Sequence, residues 1–289
     1  MDKLSLKKLI LKEADEQQYQ AKLQQIFKQN YAGFVSALGK FATDPKFRAF
    51  VKNTDTEKTK VTLSAVDVKK LIPTQNEIDV DKSLMFPLTK AQAAAYALKG
   101  GTVKVAAPII VFNNKYIVDG HHRWSQLYAI NKDAKIVAYN MTNPDIKTPM
   151  DALKATQLAI IGAGATKIPK AEVKKSNLLR MDENSIKQYV ISTTTDDVAA
   201  VFNKMKQLDS KEAIADYIWA NVTEMQQTSQ PVSGAPGRGI MPQADAVPGG
   251  IPKTIATLQQ GIPQVGTVAE QFRALVKKVI KEELAKLKK

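Results

Sequence analysis

The chain contains no cysteine and only two histidines among its 289 residues. The lack of cysteine excludes disulfide bonds, thiolate metal sites and every mechanism that uses a cysteine nucleophile. No run approaches 18 consecutive apolar residues, and the first 13 residues alternate lysine with leucine where a secretory signal would carry an apolar core. We therefore expect a protein that is neither secreted nor inserted in a membrane.

Basic residues outnumber acidic ones by 42 to 28, which gives a formal net charge of +14. A positive excess favours polyanionic partners through long-range attraction, and it predicts non-specific contact with DNA. The excess lies in residues 1–60, 61–149 and 226–289, whereas residues 150–225 are balanced. The balanced region is therefore not expected to grip DNA.

Hydrophobic periodicity predicts three structured parts in the first 225 residues. Residues 1–52 show helical spacing and predict an N-terminal helical arm, and residues 150–225 predict a helical domain. Residues 60–143 carry short β-branched runs and two helical segments, with Asn113-Asn114 as a tight hairpin turn. The predicted fold class is therefore α/β, of the α+β type, with a small mixed-sheet core.

The remaining residues predict a tether and a terminal helix. Residues 226–264 are rich in proline and glycine, which is typical of an extended connector without a core of its own. Residues 265–289 predict an amphipathic helix, because Thr267 and Glu270 form a capping box before a continuous apolar stripe. A helix of this kind on a long tether indicates docking onto a partner.

One segment, residues 115–124, combines features that bind anions. A predicted strand runs into Asp119-Gly120 and then directly into a helix, so the free N–H groups of the first helical turn point outward. Gly120 allows close approach, and Arg123 can hold phosphate oxygens with a forked pair of donors. Asp119 at this position can bind a metal ion or act as a base.

Both histidines of the chain, His121 and His122, also lie in this turn and offer cationic or donor groups. A metal site built from the two of them is disfavoured, because neighbouring residues of a helix point about 100° apart. The alternative interpretation is structural: Asp119 caps the helix while the two imidazoles pack or form hydrogen bonds.

The run Asp-Gly-His-His-Arg at residues 119–123, with Leu-Ile-Pro-Thr-Gln-Asn-Glu upstream at residues 71–77, resembles the ParB/sulfiredoxin fold. The resemblance covers residues 60–143 and is closest to ParB-like proteins encoded by bacteriophages. It implies a location in the host cytoplasm or in the virion.

The match to this family is residue-specific. Gly120 and Arg123 match the signatures of both ParB and sulfiredoxin, and His122 matches sulfiredoxin alone. His121 stands where sulfiredoxin has its nucleophilic cysteine, so that redox reaction is ruled out. Glu77 replaces an arginine of the upstream box of ParB, and this carboxylate makes the pattern more similar to free-serine kinases of the same fold.

The resemblance implies a nucleotide site. Glu77 and Asp119 would orient or deprotonate an acceptor hydroxyl as catalytic residues, and Asp119 would bind Mg²⁺. The implied nucleotide is ATP or ADP, or alternatively CTP. The residues that would bind it are Thr74, Gln75, Gly120, His121, His122 and Arg123. The alternative for Glu77 is a solvated acidic turn.

Two functions follow from these observations. The first is a phage-encoded ParB-like protein that binds a nucleotide and transfers or hydrolyses its phosphate. The second is a virion structural or DNA-associated protein that uses the fold as a scaffold and reaches phage structural proteins through its C-terminal helix.

Overall fold

The computed structural model describes residues 51–53, 58–165 and 176–265, with the backbone alone at residues 51–53 and 265. Residues 1–50 and 266–289, which include the predicted N-terminal helices and C-terminal helix, lie outside the described residues. Within the described ranges the protein is a mixed α/β structure, as the sequence predicts. No helix in these ranges is long and apolar enough to cross a membrane.

The strands form one large mixed sheet and one small ribbon. In chain order they are β1 (Val51–Asn53), β2 (Lys60–Asp67), β3 (Ile72–Pro73), β4 (Thr102–Val103), β5 (Ile109–Phe112), β6 (Tyr116–Asp119), β7 (Lys135–Thr142) and β8 (Pro263–Val265). The large sheet has the order β2-β7-β5-β6-β3, with β4 beside the start of β7. Strand β5 is parallel to β7 and antiparallel to β6, and β3 is parallel to β6. Strands β1 and β8 pair with each other.

The helices lie between and after these strands. A π-helical turn at Asp81–Met85 leads into α1 (Phe86–Thr89), and the others are α2 (Ala91–Leu98), α3 (His121–Asn131), α4 (Pro149–Gly162), α5 (Glu183–Thr193), α6 (Asp196–Lys206), α7 (Lys211–Thr228) and α8 (Gly250–Gln259). Side-chain caps fix several helix N-termini. At α6, for example, the Thr195 hydroxyl accepts a hydrogen bond from the Val198 N–H.

The sheet separates two hydrophobic cores. Its central strands alternate their buried residues, so that Ile109 and Val111 face one core while Ile110 and Phe112 face the other. Both faces of β5 are therefore covered, which explains why all four of its residues are buried. Helices α2, α3, α5, α6 and α7 contribute to the first core, and α4 and α8 contribute to the second.

This arrangement corrects two predictions about domain organisation. The predicted helical domain of residues 150–225 does not form a single unit, because α4 packs on one face of the sheet and α5 to α7 pack on the other. Residues 226–264 are not an extended connector. They complete α7, form two 3₁₀ turns and α8, and bury Ile251, Ile255 and Leu258 in the second core.

The mixed-sheet character predicted for residues 60–143 is confirmed, while the ParB-like assignment of this core stays a prediction. The expected hairpin turn is present, with φ values of 51° and 52° at Asn113 and Asn114, a conformation that asparagine tolerates. The β-branched residues around Val61 and Val66 belong to one continuous strand, β2, which pairs with β7 along its whole length. The helix that follows Gly120 begins where the sequence predicts.

Helix α3 is held at its C-terminal end by side chains of α7. Tyr217 Oη donates to the carbonyl of Ile130 at 2.9 Å, and Asn221 Nδ2 donates to the carbonyl of Ala129 at 2.9 Å. These carbonyls would otherwise lack partners at the helix end. Trp124, which is buried, donates its indole N–H to the carbonyl of Val68 at 3.0 Å. The position of the helix N-terminus is therefore set by contacts along the whole length of α3.

The placement of α8 in the second core predicts a stability effect that an extended connector would not show. Replacing the fully buried Leu258 with alanine should lower the free energy of unfolding by about 2–4 kcal/mol, because the side chain leaves a cavity. The matched control is Gln259→Ala, at an exposed position of the same helix, with an expected change within about 0.5 kcal/mol. Urea denaturation measures both variants. Equal midpoints for the two variants would contradict the packing of α8.

Candidate functional site

The parallel pairing of β3 with β6 brings two sequence motifs together. These are residues 71–77, which we call the upstream box, and residues 119–123 at the start of α3. Ile72 lies opposite Tyr116 and Pro73 lies opposite Ile117, so residues 74–77 emerge from the sheet beside Asp119 and Gly120. Parallel strands end at the same edge of a sheet, and ligands of α/β proteins commonly bind at that edge. The structure therefore juxtaposes the upstream box and the helix start that the sequence singled out.

His121 links the two motifs directly. The backbone N–H of Thr74 donates to His121 Nε2 at 3.2 Å, and the Thr74 hydroxyl donates to the carbonyl of Ile117 at 2.7 Å. Burial lowers the pKa of His121 to about 3, with a backbone hydrogen bond to Ile117 acting in the opposite direction. His121 is therefore a neutral hydrogen-bond acceptor at pH 7.

His122 is used in the same way on the other side of the helix. Its Nε2 accepts a hydrogen bond of 3.1 Å from the backbone N–H of Asp79. Burial lowers the pKa of His122 to about 2, and the positive charge of Arg238 adds to the effect. Both imidazoles therefore hold the upstream turn against the helix, which agrees with the structural alternative for them, and their lowered pKa values disfavour a cationic role at neutral pH.

The helix N-terminus itself has the backbone conformation that an anion site needs. Gly120 is the N-cap of α3 with φ 93° and ψ 25°, in the left-handed region, and no side chain among the described residues caps the first turn. A Cβ at this position would lie 2.6 Å from Ile109 Cγ2 and 2.8 Å from an Arg123 nitrogen. Glycine is required here both by the positive φ and by the close approach of two neighbours.

Arg123 folds back over Gly120 toward the start of its own helix. Its Nη2 lies 3.1 Å from Asp119 Oδ2 and forms a partly buried ion pair across one helical turn. This direction is the usual one for a long side chain on a helix. The Nε of Arg123 is buried and has no hydrogen-bond partner in the described part of the chain. Arg123 therefore keeps an unused donor at the helix N-terminus.

Asp119 lies at the centre of the site. Burial raises the pKa of its carboxyl, and the positive charge of Arg123 opposes that effect. The backbone of Ala244 forms a hydrogen bond to the same carboxylate, and this contact comes from the segment expected to be a connector. A carboxylate with a raised pKa is better suited to accept a proton near neutral pH than an exposed aspartate.

Glu77 occupies the rim of the site. Its Oε2 accepts a hydrogen bond of 3.2 Å from the backbone N–H of Arg238, and its own carbonyl accepts one from Gln75 Nε2. Thr74 and Gln75 are both buried. At these two positions the upstream box therefore contributes backbone groups and internal hydrogen bonds to the site, and no exposed side chains. Glu77 is half-buried and retains access to solvent.

The acidic turn of residues 77–81 is anchored from two sides. Asn177 Oδ1 accepts from the backbone N–H of Ile78 at 3.0 Å, while Asn177 Nδ2 donates to the carbonyl of Asn76 at 2.8 Å. Tyr189 donates its hydroxyl to Asp81 at 2.7 Å. The interpretation as a freely solvated acidic turn therefore applies at most to Asp81, which is the exposed member.

Sequence reasoning missed Arg238, the residue that this geometry adds to the site. Arg238 is 7% exposed, and its backbone contacts Glu77 as described above. Its charge is the largest Coulombic influence on the pKa of both His121 and His122. The available signal was weak: Arg238 stands between two glycines in a tract whose other charged residues are Asp245 and Lys253.

The donors of the site fit a phosphate better than a metal ion. The buried, unpaired Nε of Arg123 and the uncapped helix turn are hydrogen-bond donors of the kind that phosphate oxygens accept. The Asp119 carboxylate already binds Arg123 and the backbone of Ala244, which does not fit the predicted Mg²⁺ ligand. Within the described ranges, no group of three or more histidine or acidic residues is arranged to hold a metal.

The neutral histidines predict a pH dependence of stability. Each stays unprotonated in the folded protein but takes up a proton in the unfolded chain below about pH 6.5. The unfolded state then binds more protons, so stability falls as the pH falls below that value. In His122→Gln the amide oxygen can still accept from Asp79 N–H, but one titrating group is removed. Between about pH 6 and 4, its stability should fall less steeply than that of the wild type, by about 1.4 kcal/mol per pH unit.

Chemical denaturation at a series of pH values measures this difference. Parallel stability curves for the wild type and His122→Gln would show that His122 titrates normally in the folded protein.

Comparisons with family models, with curated proteins and with solved structures gave no match to this chain. The resemblance to the ParB/sulfiredoxin fold therefore stays a prediction that depends on the motif residues. Function has to be argued from the geometry of the site.

Proposed function

We propose that this protein binds a nucleotide through its phosphates at the N-terminus of α3, as a phage-encoded ParB-like protein would. One observation carries the proposal: an uncapped helix turn at Gly120 and a buried, unpaired arginine donor lie at the edge where β3 and β6 both end. The partial positive charge of the helix N-terminus and the guanidinium of Arg123 both attract phosphate oxygens. ATP or ADP is the proposed ligand, with CTP as the alternative.

The enzymatic form of this proposal is phosphoryl transfer or hydrolysis. The carboxylate of Glu77 or Asp119 takes the proton of an acceptor hydroxyl or a water molecule. The oxygen then bonds to the terminal phosphorus, and the bond from that phosphorus to the bridging oxygen breaks, so that the shortened nucleotide leaves with the electron pair. Asp119 is supported by its raised pKa, and Glu77 is supported by its access to solvent.

A virion structural or DNA-associated scaffold is the second candidate. It is favoured by the use of His121 and His122 as acceptors for backbone N–H groups, which stabilise the turn without any ligand. In this form the fold is retained for its shape, and contacts to DNA or to phage structural proteins involve other parts of the chain.

The binding proposal predicts that Arg123→Ala loses most of its nucleotide affinity. The loss should be about 2–3 kcal/mol, because a charge-assisted contact to phosphate disappears. Titration calorimetry with ATP, ADP and CTP, with and without Mg²⁺, measures the affinity. Arg180→Ala is the matched control, since Arg180 is an exposed arginine outside the site, and it should bind as the wild type does.

Circular dichroism is needed beside the calorimetry, because Arg123→Ala also removes the partner of the buried Asp119. Unchanged affinity in a folded Arg123→Ala protein would rule out the phosphate site.

The catalytic proposal predicts a separation of binding from turnover. Glu77→Gln and Asp119→Asn keep the size of each side chain, so nucleotide should still bind, but the variant that lacks the base should lose turnover by about 100-fold or more. Product analysis after incubation with ATP and hydroxyl acceptors measures the rate. If the wild type converts no nucleotide, the scaffold function is favoured instead.

A further inference from the structure

Arg238 is a buried cation of the candidate site. It begins a 3₁₀ turn, Arg238–Ile240, between α7 and α8, and the whole residue is 7% exposed. Its Nε is buried and has no hydrogen-bond partner. Removing a charge from water carries a penalty of several kcal/mol unless an opposite charge or hydrogen bonds compensate for it. The position of this guanidinium therefore requires an explanation.

Carboxylates surround Arg238. Asp79, Asp245, Asp119 and Glu77 act on its pKa through their charge, while burial lowers that pKa. The guanidinium is thus held among the site residues, while its Nε has no hydrogen-bond acceptor among the described residues.

The backbone of the same segment is fixed to the site. The N–H of Arg238 donates to Glu77 Oε2 at 3.2 Å, and the backbone of Ala244 bonds to Asp119. The first contact is with the upstream box, and the second is with the motif at the start of α3. Residues 229–249, which we call the strap, therefore contact both motifs.

Two arginines of the site consequently have an Nε without a hydrogen-bond partner among the described residues. Arg123 reaches it from α3 and Arg238 reaches it from the strap, and both Nε atoms are buried without partners. A guanidinium offers planar, forked donors that match phosphate oxygens. A phosphate group has enough terminal oxygens to accept from both arginines and from the first turn of the helix.

We propose that Arg238 is a second phosphate-binding arginine of this site, delivered by the strap, and that the ligand is a small molecule that ends in a phosphate group. This inference rests on the proposed phosphate site and adds a second arginine to it. It also assigns a binding role to a segment whose composition predicted only a connector.

The test compares Arg238→Gln with the wild type. The substitution removes the charge but keeps the backbone N–H that bonds to Glu77, so the strap retains its anchor. Arg180→Gln, at an exposed position, is the matched control. Calorimetry is performed with ADP, inorganic phosphate and adenosine as probes, because these separate the phosphate from the rest of a nucleotide.

We expect the wild type to bind ADP and inorganic phosphate but not adenosine. Arg238→Gln should bind ADP at least about tenfold more weakly, as expected for the loss of a hydrogen bond to a charged group. Its melting temperature without ligand should change little, because the substitution removes the cost of burying the charge together with the attraction of that charge to the four nearby carboxylates. The stabilisation by ADP seen for the wild type should also be reduced.

Several outcomes would overturn the inference. If Arg238→Gln binds ADP and phosphate as the wild type does, while Arg123→Ala does not, the phosphate site stands and Arg238 has no role in it. If the wild type binds neither probe, the proposed function and this inference both fail. If phosphate binds and ADP does not, and Arg238→Gln loses phosphate, the inference is supported while the nucleotide proposal fails. A lower melting temperature of ligand-free Arg238→Gln with unchanged affinity would show a purely structural role.

Discussion

Two residue pairs between β3 and β6 determine where every group of the candidate site lies. Ile72 with Tyr116 and Pro73 with Ile117 align two segments in parallel, so that one segment leaves the sheet as a turn and the other as a helix. The hydrogen bond from Thr74 N–H to His121 Nε2 becomes possible only in this register. A shift by one residue would turn alternate side chains to the opposite face and separate the two motifs.

The histidines and the arginines of the site have opposite electrostatic roles. Both imidazoles are neutral, because burial disfavours their charged form and each ring accepts a backbone N–H. A guanidinium cannot respond in this way, since it stays protonated in proteins. The positive charge of the site is therefore concentrated on Arg123 and Arg238. Asp119 balances the charge of Arg123 by a direct ion pair, whereas carboxylates act on Arg238 through Coulombic attraction.

Sequence patterns predicted the central sheet and the start of α3 because these depend on local signals. Alternating β-branched residues indicate strands, paired asparagines indicate the hairpin, and glycine before a polar helical turn indicates the helix start. The ordered strap could not be predicted in this way. Its proline and glycine content is a local property of the sequence. Arg238, in contrast, is positioned by a contact with Glu77, which lies 161 residues away in the sequence. The state of the histidines likewise depends on burial, which periodicity does not report.

The pairing of β1 with β8 has a mechanical consequence. Val51 lies directly opposite Val265, so the chain enters and leaves the described structure at neighbouring positions. The two strands are antiparallel, and a force that separates these two residues would load the hydrogen bonds of the ribbon one after another from that end. Peeling of this kind needs less force than shearing all the bonds at once. Tension applied through the two ends of the chain would therefore open the ribbon before it reached the sheet that carries Gly120 and Arg123.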